Sequence, residues 1–98
     1  MKVDITSTTI DMIGRVKVPS GILDQLGLNS KDGLTLITED GKIFLNKADG
    51  EDSEKLRRID ELGRIVVPLE LRETLKLEGN EELQIEVLGE TLVLSKIA

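Results

Sequence analysis

Ile10-Asp11-Met12-Ile13-Gly14-Arg15-Val16-Lys17-Val18-Pro19 returns 49 residues later, without a gap, as Ile59-Asp60-Glu61-Leu62-Gly63-Arg64-Ile65-Val66-Val67-Pro68. The register then holds from the pair Ile10/Ile59 to the pair Lys47/Lys96, 38 aligned positions of which eleven are identical. Beyond the first stretch the identities are Leu26/Leu75, Leu28/Leu77, Leu34/Leu83, Leu45/Leu94 and Lys47/Lys96. Ordinary residue frequencies would give roughly two to four by chance, so the chain is a duplication. Each half has about the length at which a lone core becomes marginal, which predicts two half-barrels that complete one another.

Both halves carry one pattern of elements. Residues around Asp4 to Ile10 and Lys55 to Ile59 suit an extended segment, and Gly14 or Gly63 then supplies a permissive turn. Second strands follow over Arg15 to Val18 and Arg64 to Val67, ended by Pro19 and Pro68, which fit a first helical turn but not a ladder. Ile22 and Leu26, or Leu71 and Leu75, then stand four apart as the apolar stripe of a short helix, with Gly27 a C-terminal stop. Alternation resumes with Leu34 and Leu36, and with Leu83, Ile85 and Val87. Asp40-Gly41 and Gly89-Glu90 mark hairpin turns before Ile43 and Leu45, or Leu92 and Leu94. Each repeat therefore reads β-β-α-β-β. The predicted organisation is one barrel domain over 1–98, mainly β with short helices, whose repeats 1–47 and 55–98 are joined by an acidic linker at 48–54. Val18, Val67, Leu26, Leu75, Leu34 and Leu83 are expected in the core.

Composition narrows the chemistry. The 98 residues hold 13 Lys+Arg against 19 Asp+Glu, a net charge of −6, with 39% hydrophobic residues, as a folded domain requires. Cysteine and histidine are both absent, which removes thiolate nucleophiles, disulfides, Cys/His zinc sites and His-centred acid/base chemistry. Phe44 alone is aromatic, too little for the stacking platforms that hold single strands. No carboxylates group into an acid/base pair and no Gly-rich phosphate loop occurs, so neither an enzyme nor a cofactor or metal is expected. No apolar run is long enough to span a bilayer and no signal peptide opens the sequence, so the expected location is cytoplasmic.

From Arg57-Arg58-Ile59-Asp60-Glu61-Leu62-Gly63-Arg64 through Pro68-Leu69-Glu70-Leu71-Arg72, and on to Leu92-Val93-Leu94-Ser95-Lys96, the sequence resembles the AbrB/SpoVT/MazE family of transcriptional regulators and antitoxins. The resemblance is dense in the second half and extends more weakly over the first. It implies a swapped-hairpin β-barrel, normally a homodimer, here with both copies in one chain. It also implies binding of double-stranded DNA through basic residues on the first strand, after the loop glycine and on the helix, which are Arg57, Arg58, Arg64 and Arg72. Arg15, Lys17 and Lys55 are weaker candidates. Arginine suits the task, since its fork grips phosphate or guanine in bidentate fashion.

The first half departs from that pattern: Thr8 and Thr9 replace the first-strand bases and Leu23 the helix arginine. Net charge is −1 over residues 1–49 and −5 over residues 50–98, so the half with the arginines is the more acidic. Its carboxylates must lie mostly on another face if the arginine face is to meet DNA, and either asymmetric contact or two chains for a full footprint is expected. Asp60 and Glu61 could instead neutralise Arg64, and the Gly-Arg pairs could be architectural. The competing expectation is an antitoxin-like barrel with a toxin partner, or another protein-interaction barrel, with weak or no DNA binding. Self-association into dimers is compatible with either.

Overall fold

The computed structural model describes residues 5–48 and 56–97. The expected linker lies outside them apart from Ala48, and so does Lys55. Strands β1 (Ile5–Ile10) and β2 (Arg15–Lys17), helix α1 (Ser20–Leu26) and strands β3 (Gly33–Glu39) and β4 (Lys42–Lys47) come first. β5 (Leu56–Arg58), β6 (Arg64–Val66), α2 (Leu69–Leu75), β7 (Glu81–Leu88) and β8 (Thr91–Lys96) repeat that order.

The eight strands of the described residues form one antiparallel sheet in the order β5-β3-β4-β8-β7-β1-β2-β6. The end strands β5 and β6 are consecutive in the chain, and the Asp60 N–H donates to the Arg64 carbonyl at 3.0 Å, so the sheet nearly closes into a barrel. The first strand of each set pairs with the third strand of the other: β1 lies on β7 and β5 on β3. At the centre β2 pairs with β6, Val16 opposite Ile65. The Val18 N–H donates to the Gly63 carbonyl at 2.9 Å and the Val67 N–H to the Gly14 carbonyl at 2.8 Å, which locks the two hairpins together. This is the swapped-hairpin arrangement. It uses up the strand edges that an isolated β-β-α-β-β unit would expose.

Inward alternation builds one core. Ile10, Val16, Val18, Leu34, Leu45, Ile59, Ile65, Val67, Leu83, Ile85 and Leu94 are all buried in the same cluster. Leu26 and Leu75 pack against it only partly buried, because they sit on the helices that cap the barrel. Both helices start from proline, with no side-chain cap, and end in the left-handed region. Gly27 does so in α1 (φ 68°), whereas α2 uses Lys76 (φ 57°), where a side chain costs energy that glycine avoids.

Candidate nucleic-acid interface

The outward face of the β1-β2-β6-β5 ribbon collects charge by simple alternation. Val16 and Ile65 point inward, so Arg15, Lys17 and Arg64 point outward, and the pairing places Lys17 directly opposite Arg64 and Arg15 opposite Val66. Ile59 is buried, so its neighbours Arg58 and Asp60 also face out. Four cations drawn from both repeats therefore share one surface: Arg15, Lys17, Arg58 and Arg64.

Two aspartates organise this surface. Asp11 Oδ1 accepts from the backbone N–H of Ile13 at 3.0 Å and of Arg15 at 2.8 Å, and its Oδ2 accepts from Arg15 Nε at 2.6 Å. Asp60 repeats the device with Leu62 N at 2.9 Å, Arg64 N at 2.8 Å and Arg64 Nε at 2.8 Å. The Arg15 and Arg64 backbone N–H groups chiefly hold the two carboxyls below the usual carboxylate range; partial desolvation opposes them and the guanidinium hydrogen bonds add to them. Each aspartate takes only the Nε edge of its arginine. Among the described residues neither Nη group has a protein partner, so Asp60 pairs with Arg64 as the neutralising alternative expects, while Glu61 is exposed.

The other two expected arginines lie elsewhere. Arg57 is registered with inward-facing Leu34 and so points away from Arg58. It lines a groove of about 620 Å³ with Leu36, Pro68, Glu70, Leu71 and Thr74 beneath α2. Arg72 donates from Nε to the Val67 carbonyl at 3.0 Å, and its guanidinium lies against Gly14 of the first repeat. Leu23, at the matching helix position, lies against Gly63. The four arginines expected as one cluster are thus divided: Arg58 and Arg64 share the outward face with Arg15 and Lys17, while Arg57 and Arg72 are directed into the fold. Adjacent residues on a strand cannot share a face, and that signal at Arg57-Arg58 was present in the sequence. The packing of Arg72 on a glycine 58 residues away was not.

Two lysines absent from the expected set border Arg58. Arg58 Nη1 donates to the Lys31 carbonyl at 3.1 Å, and Lys31, Lys47 and Arg58 line a hollow of about 190 Å³ with Asp32, Gly33, Ala48 and Leu56. Lys47 Nζ stands 3.8 Å from Asp32 Oδ2 and 3.5 Å from the Gly27 carbonyl. No described helix is long and apolar enough to cross a membrane, and no group of three or more His, Cys, Asp or Glu among the described residues could hold a metal ion.

No protein-family model matches the chain. Over 41 residues it is 46% identical to the transition state regulatory protein AbrB of Bacillus subtilis, a match covering 42% of this chain and 43% of that protein. In fold it is similar to the solution structure of PHS018 from Pyrococcus horikoshii, with a TM-score of 0.57 and 22% identity, over 100% of this chain and 99% of that one. The chain is AbrB-like in sequence over the matched stretch, and its barrel is consistent with that likeness.

Proposed function

We propose that this protein is a non-enzymatic, AbrB-like transcriptional regulator that binds duplex DNA through the outward face of the β1-β2-β6-β5 ribbon. The observation that carries this function is the gathering of Arg15, Lys17, Arg58 and Arg64 on one surface, in excess of the paired carboxylates Asp11 and Asp60, in a chain whose net charge is −6. Local clustering of that kind outweighs the total charge in steering a polyanion. Arg64 and Arg15 present their Nη groups to phosphate or a guanine edge from the two sides of the ribbon, while Arg58 and Lys17 add positive charge. Asp11 and Asp60 hold the two paired arginines in place, so fewer side-chain rotamers are lost when DNA binds. Arg57 and Arg72, expected from the resemblance as contacts, serve the groove and the inter-repeat packing instead. Association of two chains on one site would enlarge the footprint, and a toxin partner has no observation in its favour.

Fluorescence anisotropy with labelled duplex at two salt concentrations tests this function. The four ribbon cations, each neutralising one phosphate, contribute about −3.6 to the slope of log affinity against log salt. Arg58→Ala with Arg64→Ala should weaken binding to all sequences. Absence of binding at low salt, or an unchanged affinity in that variant, would rule the function out.

A further inference from the structure

We propose that the chain engages duplex DNA from one side of its pseudo-two-fold axis, with Lys31 and Lys47 extending the phosphate track beyond Arg58 and the matching surface of the other repeat turned away. This inference rests on the DNA-binding function above and assigns it a direction.

The two repeats place equivalent positions at equivalent points of the barrel, so their surfaces compare residue by residue. On the β5-β3 side the hollow beside Arg58 carries three cations, Lys31, Lys47 and Arg58, against one carboxylate, Asp32. The equivalents on the β1-β7 side are Asn80, Lys96, Thr9 and Glu81, and Gly33 is replaced by Glu82. Thr9 is registered with Glu82, which is exposed. Lys96 Nζ is held by Glu81 at 3.5 Å and by the Lys76 carbonyl at 3.1 Å, as Lys47 is by Asp32 and the Gly27 carbonyl, so the flanks differ at Lys31/Asn80, Arg58/Thr9 and Gly33/Glu82. One flank of the ribbon thus continues as a basic track and the other ends against carboxylates.

A phosphate backbone running over the ribbon gains two contacts on the first flank and meets Glu82 on the second. Like charge facing the backbone suppresses that orientation as effectively as added cations favour the other. Duplication within one chain allows this, since two identical chains related by symmetry would carry the same charges on both flanks.

The chain has no cysteine, so single cysteines can carry a DNA-cleaving iron chelate. Asn29→Cys and Glu78→Cys form an equivalent pair at exposed positions flanking the two surfaces. Cleavage from position 29 with none from position 78 is expected. Lys31→Gln with Lys47→Gln should lower affinity about 3- to 10-fold and reduce a salt slope near −5.4 by about two, whereas Glu82→Lys should raise affinity. Equal cleavage from both positions, or a slope unmoved by the lysine changes, overturns the sidedness while leaving DNA binding intact. Failure of the unmodified protein to bind duplex at low salt removes both. Low-salt self-association that the lysine changes abolish, with DNA affinity unaltered, overturns it by assigning the track to a second copy of the chain.

Discussion

The guanidinium of Arg72 lies over the α-carbon of Gly14, so close that a methyl group there would stand 2.6 Å from Nε. Leu23 covers Gly63 in the same way from the other helix, a methyl at Gly63 standing 3.2 Å from Cδ1. One packing position is filled by an arginine in one repeat and a leucine in the other, which defines Arg72 as an inter-repeat contact through its stem and plane. Arg72→Leu should therefore leave DNA affinity within about twofold and stability within about 1 kcal/mol, while Arg72→Ala should cost about 1–2 kcal/mol from lost packing and the lost bond to Val67. Urea titration and anisotropy on both variants check this. A loss of affinity in Arg72→Leu as large as that in Arg64→Ala would return Arg72 to the binding surface.

Gly14 itself has a φ of 96°, a region that side chains rarely adopt. Gly14→Ala should cost roughly 1–3 kcal/mol from the backbone alone, plus the displacement of Arg72. In an Arg72→Ala background the displacement disappears and the backbone cost stays, so the two substitutions should fall short of additivity. Strict additivity in a double-mutant cycle would deny the contact.

Arg57 and Arg58 separate the faces of β5 in one experiment. Arg58→Ala should reduce DNA affinity and flatten the salt dependence, because it removes a charge from the outward ribbon. Arg57→Ala should change affinity little, since its side chain lines the groove beneath α2. Equal losses from both would mean that the groove also meets DNA.

Acid should loosen the two turns. The carboxyls of Asp11 and Asp60 are depressed below their ordinary value of 3.8, chiefly by the backbone N–H groups of Arg15 and Arg64. A carboxyl depressed in the folded state stabilises it fully above its unfolded value, and that stabilisation is lost as pH falls through the folded one. Stability should accordingly decline as pH falls below about 4, the ordinary carboxylate value, toward the lower folded-state values. Asp11→Asn with Asp60→Asn should be less stable at neutral pH and show a shallower decline, followed by urea midpoints across that range. Parallel curves for variant and parent would contradict the role of these turns.

Lys76 occupies the left-handed cap that Gly27 fills in the first helix. Lys76→Gly should stabilise the protein by about 1 kcal/mol, and thermal unfolding measures it. Destabilisation would show that the lysine side chain earns more than its backbone strain costs.

Much of the fold was legible in the sequence because duplication and period-two alternation are local signals. Asp11 and Asp60 stand four residues before Arg15 and Arg64, and Gly14 and Gly63 precede those arginines, so each turn could be read from ten consecutive residues. The strand order could not, since Ile5–Ile10 would alternate in the same way against any partner. The approach of Lys31 and Lys47 to Arg58 could not be read either, since nothing in their own neighbourhood announces Arg58.

By itself the sequence determined two equivalent β-β-α-β-β segments, their inward residues and the residue types able to hold a phosphate. Only the tertiary structure decided that β1 lies on β7, β5 on β3 and β2 on β6, and with them that Lys17 faces Arg64 while Arg57 turns inward. Alternation fixes which residues of a strand share a side, but hydrogen-bonded pairing between distant strands fixes which sides adjoin, and sequence spacing carries no record of it.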